Sequence, residues 1–150
     1  MTPDPDRSAR SRRNKRRGQS AEGRCKGALQ HDGYLVWKSA RSLTVADLIA
    51  AKPGEWLLVQ VKGGAKAMTS SDWNELFQIA LTLSAGGHGG AFTRVHAIIA
   101  DWPERTQFRW GPMRLRRISG RHVPHSEVWP TEPFSTDIEE ESDARPGRGV

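Results

Sequence analysis

The stretch from Val45 to Lys62, VADLIAAKPGEWLLVQVK, constrains this chain more than any other. It reads as a β-hairpin. Val45–Ala51 is apolar except for Asp47 and gives the first strand. Lys52-Pro53-Gly54 gives the turn, with proline presetting φ and glycine free to take a positive φ. Glu55–Lys62, rich in Trp, Leu and Val, gives the second strand. Three polar side chains, Asp47, Gln60 and Lys62, stand where a buried hairpin should be apolar. Side chains alternate along a strand, so Gln60 and Lys62 share one face and Leu57, Val59 and Val61 the other. Asp47, on the paired strand, can reach the face of Gln60 and Lys62. A carboxylate, an amide oxygen and an ammonium then meet at one end of a sheet. Buried polar groups need partners or ions, and this trio suits a hard cation beside a phosphate.

The 150 residues support one domain with a core of its own. Cys25 is the only cysteine, which excludes an intrachain disulfide and fits a reducing compartment. No apolar run approaches the roughly 18 residues of a membrane span, and the N-terminus lacks the apolar core of a signal peptide. The expectation is a soluble, cytoplasmic protein with no membrane contact. The net charge of +6 is unevenly spread. Residues 1–20 carry +5, residues 21–130 another +5, and residues 131–150 carry −4. A basic arm and body suit a polyanionic partner, with nucleic acid the first candidate.

Residues 1–16 hold almost nothing apolar and read as a disordered basic arm, with Arg12, Arg13, Lys15, Arg16 and the adjoining Arg17 as candidate phosphate contacts. A helix should run from Arg17-Gly18 to about His31, with Ala21, Cys25, Ala28 and Leu29 on its apolar face and Glu22 at the border of that face. Gly23 and Gly27 weaken it and suggest close packing or a close ligand. Tyr34–Lys38 is a short strand, and Ser39–Thr44 a polar loop containing Arg41. After the hairpin comes the flexible basic loop Gly63–Lys66. A second helix follows, with Asp72 as its cap and Glu75 as capping-box partner. Its apolar face comprises Trp73, Leu76, Phe77, Ala80 and Leu81. Gly86–Gly90 lacks the Lys-Ser/Thr of a phosphate loop and reads as a connector. Val95–Trp102 is a buried strand and Thr106–Trp110 a candidate further one. Arg114, Arg116 and Arg117, near Trp110 and Met113, suit phosphate and base contact as well as they suit a solvated edge strand. His122 and His125 lack the companions of a zinc site. Residues 131–150 read as a disordered acidic tail. The domain is therefore residues 17–130. The order helix, three strands, helix, strand predicts an α/β fold with a mixed central sheet flanked by helices on both faces.

Glu22 in a first helix, Asp47 after a strand and loop, and then Gln60-Val61-Lys62 resemble the PD-(D/E)xK nuclease superfamily. The Arg17-Gly18 start, the small domain and the Ser39–Arg41 loop most resemble archaeal-type and phage-type Holliday junction resolvases. The resemblance covers roughly residues 14–102, and its restriction-endonuclease-like αβββαβ core matches the order above. Two positions depart from the family pattern. Ala46 replaces the usual proline, and Gln60 replaces the usual Glu or Asp, as in Mrr-type restriction nucleases and some transposon end-cleaving nucleases.

The resemblance implies a Mg²⁺-dependent endonuclease, with Mn²⁺ able to substitute and no small-molecule cofactor. Glu22, Asp47, Gln60 and Lys62 would be its catalytic residues. Glu22, Asp47, the Gln60 amide oxygen and the Val61 backbone carbonyl would be the metal ligands. A divalent ion offsets phosphate charge and acidifies water, and Mg²⁺ prefers oxygen ligands. Lys62 would orient the attacking water or stabilise the charge that develops. Ser39, Arg41, Lys66 and the arginines already named would contact DNA. The implied protein is a homodimer that cuts branched DNA, in a bacterial cell or encoded by a phage. Two alternatives stay open: a restriction-like or transposon-end nuclease of the same superfamily, and a catalytically weak DNA-binding protein.

Overall fold

A computed structural model of the chain describes residues 21–40, 45–64, 68–85 and 93–135. Residues 21–31 are helical and are labelled α1. They are followed by β1 (Leu35–Lys38), β2 (Leu48–Lys52), β3 (Glu55–Lys62), α2 (Ser70–Ala85), β4 (Arg94–Asp101), β5 (Arg114–Ile118) and β6 (Thr131–Pro133). The six strands form one sheet in the order β1-β2-β3-β4-β5-β6. Only β3 and β4 are parallel, joined through α2; every other neighbouring pair is antiparallel. The fold is α/β with a mixed sheet, as expected.

Alternation along the strands builds two cores. Leu57 and Val59 of β3 join Leu48, Ala50, Ile98 and Ala100 under Ala21, Cys25 and Leu29 of α1. Leu58 joins Val95, Ala97, Ile99 and Ile118 under Trp73, Leu76 and Ala80 of α2. The two helices therefore cover opposite faces. The helix ends follow from local chemistry. Gly33, at φ 97°, lets the chain turn back after α1, and the Tyr34 N–H donates to the Leu29 carbonyl at 3.0 Å. The hairpin turns at Pro53-Gly54 with Gly54 at φ 79°, where a side chain would be strained.

Several expectations change. The first hairpin strand starts at Leu48, three residues after Val45. Thr69, not Asp72, caps α2: its Oγ1 accepts the Asp72 N–H at 3.1 Å, because the helix begins three residues earlier than the capping pattern suggested. Leu81 is 47% exposed and leaves the apolar face of α2. A Cβ at Gly23 or Gly27 would meet nothing within 4 Å, so neither permits close packing. Residues 106–110 form no strand; Thr106 instead folds them into a tight turn, its N–H donating to the Arg109 carbonyl and its Oγ1 accepting the Arg109 N–H. The basic segment after it is a strand but not an edge strand. Arg114–Ile118 pairs with β4 on one side and β6 on the other, so it is an interior strand. The presumed acidic tail begins later, because Thr131–Pro133 completes the sheet and Phe134 packs on the α1-side core. The helix start at Arg17-Gly18, the basic arm, the loop Gly86–Gly90 and residues 136–150 lie outside the described residues.

Residues 119–130 are fastened to α2. Asn74 Oδ1 accepts the His122 N–H at 2.7 Å, and Asn74 Nδ2 donates to the His122 carbonyl at 3.0 Å. The buried His122 ring stacks on Trp129, with Ser70 Oγ 2.5 Å from its Nδ1 and the Ser126 carbonyl 2.8 Å from its Nε2. Both ring nitrogens are used within the fold. Among the described residues no helix is long and apolar enough to cross a membrane.

Candidate active site

Two residues of the first hairpin strand oppose one residue of β3. Leu48 is in register with Val59, and the Asp47 N–H also donates to the Val59 carbonyl, at 2.8 Å. This is a β-bulge, which re-aims the side chains on its N-terminal side. Ala46 turns into the α2-side core, and Asp47 is left at the start of β2, between β1 and β3. Its Oδ2 accepts the Val61 N–H at 2.8 Å. The physical reason is that the β2–β3 ladder ends at Leu48 and Val59, so the carboxylate serves as acceptor for the part-buried Val61 N–H. The Asp47 carbonyl accepts the Ser39 N–H at 3.0 Å, so Ser39 lies directly opposite on β1's continuation.

Gln60 and Lys62 flank Val61 and share the α2-side face with Leu58, by alternation from the two cores. The bulge interrupts the alternation, so Asp47 is placed by its own hydrogen bond and not by the period of the strand. Its carboxylate lies beside the backbone of the residue that separates Gln60 from Lys62. A strand residue sends its N–H and C=O toward the same neighbour. The Val61 carbonyl thus faces the side that the Asp47 carboxylate occupies.

Glu22 reaches the same end from the other side. Ala21 is packed so tightly on Gly63 that a Cβ at Gly63 would stand 2.5 Å from the Ala21 Cβ. That contact brings the first described turn of α1 to the C-terminal end of β3. Glu22 Oε2 lies 3.6 Å from Lys38 Nζ. Asp47 and Glu22 both act on the buried Cys25 thiol. Burial first, then Asp47, then Glu22, push it up to about 12. Cys25 is consequently a protonated core residue and not a nucleophile.

The parallel strands β3 and β4 end together, with Lys62 in register with Asp101. Asp101 is the partner of the predicted phosphate-binding arginines. Arg114 Nε and Nη2 donate to its two oxygens at 2.9 and 2.6 Å, and Arg116 Nη2 donates at 3.1 Å. Arg116 Nε is buried without a hydrogen-bond partner among the described residues. Arg114 and Arg116 thus share the single Asp101 carboxylate, and one guanidinium donor there is unspent. Arg117 is not part of this group: it alternates to the α1 side and pairs with Glu132 of β6. Trp110 and Met113 do not interleave with the arginines but pack on the α1-side core.

Two residues escaped the sequence pattern. Arg105 donates to the Gly63 carbonyl and lies with its guanidinium 3.6 Å from the centroid of Trp110, a ring that Arg24 also approaches at 4.5 Å. It comes from an irregular loop with no periodicity to mark it. Asp101 carried a signal, an acid closing the apolar run VHAIIAD. The candidate DNA contacts Arg12, Arg13, Lys15, Arg16, Arg17, Arg41 and Lys66 lie outside the described residues.

The structure therefore gathers Asp47, the Val61 backbone and the start of α1 at one sheet end. Gln60 and Lys62 adjoin them at the same end, on the side of α2. The metal-ligating atoms of Asp47, Glu22, Gln60 and the Val61 carbonyl are all oxygens, which fits a hard divalent cation better than a soft one. They include two carboxylates, and among the described residues no three or more His, Cys, Asp or Glu side chains are grouped as a metal site. No family model and no curated protein matches the chain.

Proposed function

We propose that this chain is a divalent-cation-dependent DNA endonuclease of the PD-(D/E)xK kind, acting as a homodimer on branched DNA such as four-way junctions. The observation that carries the reading is the Asp47 carboxylate held on the Val61 N–H, at the end of a strand whose next residue is Lys62. Ligand sites of open α/β sheets lie beyond the carboxyl ends of parallel strands, and that is where these groups stand. Asp47, Glu22, the Val61 carbonyl and the Gln60 amide oxygen would hold Mg²⁺ or Mn²⁺. When bound, the ion offsets phosphate charge and lowers the pKa of water.

The protein's own groups have separable tasks. The bulge and the Val61 N–H fix the Asp47 carboxylate before any ligand arrives, which removes a reorganisation cost. Lys62 presents a cation on the α2 side, where it can orient a water or stabilise charge on a phosphate. Arg114 and Arg116, held by Asp101, add fixed positive charge beside it. The rigid pairing means that these arginines bind a phosphate without first losing side-chain freedom.

A panel of labelled duplex, flap, fork and four-way junction DNA, incubated with Mg²⁺ or with a chelator, tests the reading. Cleavage that needs the ion and favours the junction is expected. Cleavage of plain duplex alone would point to a restriction-like or transposon-end enzyme. A second reading, a DNA-binding protein with little catalysis, is favoured by Gln60, which removes one anionic ligand. Tight junction binding with no product in Mg²⁺ or Mn²⁺ would establish that reading instead.

A further inference from the structure

We infer that the stacked pair Trp37–Trp56, on the uncovered half of the α2-side face, is a base-stacking platform for single-stranded DNA. The inference rests on the reading of the chain as a protein that acts on DNA. The register places the pair. Trp37 faces Ile49 across β1 and β2, Ile49 faces Leu58, and Trp56 and Leu35 both face Ala51. Leu35, Trp37 and Trp56 therefore lie on the same sheet face as α2. The helix lies over Leu58 and β4, and among the described residues no element covers the β1 end of that face. Trp37 is 48% exposed, Trp56 42% and Leu35 66%. The two indole rings are nearly parallel, 17° apart, with centroids at 6.3 Å.

Exposed tryptophan is costly, and two neighbouring rings on a flat strand surface are not incidental packing. Their chemistry selects the occupant. A flat aromatic face binds any base by stacking, whatever its hydrogen-bonding edge. Single strands are also the nucleic acids whose bases are free to be placed on a sheet. Charge points the same way: the chain carries +6 overall. Position adds a third argument. Trp37 stands two residues before Ser39, whose N–H binds Asp47. At the rise of a strand that is about 7 Å. A base stacked on Trp37 therefore holds an unpaired strand next to the candidate cleavage site. Branched DNA offers such a strand wherever pairing is interrupted, and continuous duplex does not.

The test is fluorescence anisotropy of a labelled twelve-residue oligothymidine, and of a duplex of equal charge, with the full-length protein in chelator at constant salt. Trp37→Ala and Trp56→Ala should each weaken single-strand binding about tenfold and leave duplex binding unchanged. Trp37→Phe should restore most of the loss, because a phenyl face also stacks. Circular dichroism of each variant checks folding, and both side chains are exposed enough to be replaced. Unchanged single-strand affinity in both alanine variants overturns the inference. So does a change from dimer to monomer in sedimentation with single-strand affinity kept, which would make the face a contact between copies. Binding is read without divalent ion, so the outcome is separate from catalysis. Trp-dependent binding by a protein that never cleaves DNA would sink the nuclease reading and keep the platform.

Discussion

Asp47 is held through three different atoms: its N–H on Val59, its carbonyl on Ser39 and its carboxylate on Val61. The contacts to Val59 and Val61 exist because β2 and β3 stop being a regular pair at the bulge, and the contact to Ser39 continues the β1–β2 register. Such a residue is positioned by backbone, so its charge can change without moving it. The neighbouring Cys25 reports on that charge. Its thiol is pushed up to about 12 by burial and by the two carboxylates. At pH 8 it should resist iodoacetamide in the native protein and react at once in denaturant; fast native labelling would show that Cys25 is not where this packing puts it. Gln60 is the other informative position. Gln60→Glu restores an anionic oxygen beside the Val61 carbonyl and should tighten Mn²⁺ binding in calorimetric titration. An unchanged isotherm would place Gln60 away from the ion.

Among the elements, the contact of α1 with the end of β3 matters most for the site, and it depends on one glycine. Gly63→Ala would drive a methyl into the Ala21 Cβ at 2.5 Å. The helix start must then shift, with Glu22 on it. Overpacking of this kind costs about 1–3 kcal/mol. Urea denaturation should show that loss, and cleavage should fall further than stability explains. A neutral Gly63→Ala would mean that α1 can slide without consequence. The far end of the sheet has its own chemistry. His96 Nε2 lies 3.6 Å from Glu55 Oε1, while Glu55 Oε2 faces Lys52 at 3.7 Å and accepts the Tyr34 hydroxyl at 3.2 Å, with Arg94, Arg117 and Glu132 nearby. Burial leads the causes that hold the His96 pKa below 6.5. The folded protein therefore keeps His96 neutral where the unfolded chain already takes a proton. Stability attributable to it is full above pH 6.5, declines as the pH falls below that value, and declines no further once the pH is under the folded pKa. The urea midpoint of wild type should drop between pH 7.5 and 5.5 by more than that of His96→Gln; equal drops would contradict the sign.

For the whole molecule, the two-sided α/β architecture was legible because apolar alternation and helical spacing both survive in the sequence. The hairpin, α2 and β4 came within a few residues of their observed bounds. What escaped had physical causes. β5 and β6 carry Arg, Glu and Pro, and their pairing depends on neighbours far along the chain, so no local pattern marks them. The bulge at Asp47 is one extra residue in an otherwise regular hairpin, invisible to a period-two reading, yet it decides which way Asp47 turns. Arg105 enters from a loop, and only the fold brings it to Gly63. The site residues themselves were named from their chemical types, whereas their relative orientation came from the backbone. The account's central claim is that the Asp47–Lys62 end of the sheet hydrolyses DNA phosphodiesters with a divalent ion. The direct measurement is cleavage of a labelled four-way junction in Mg²⁺ by wild type, Asp47→Asn and Lys62→Ala, at equal DNA occupancy and with folding checked by circular dichroism. The account predicts product from wild type and none from either variant, with binding retained; product formation by Asp47→Asn or Lys62→Ala at the wild-type rate would contradict it.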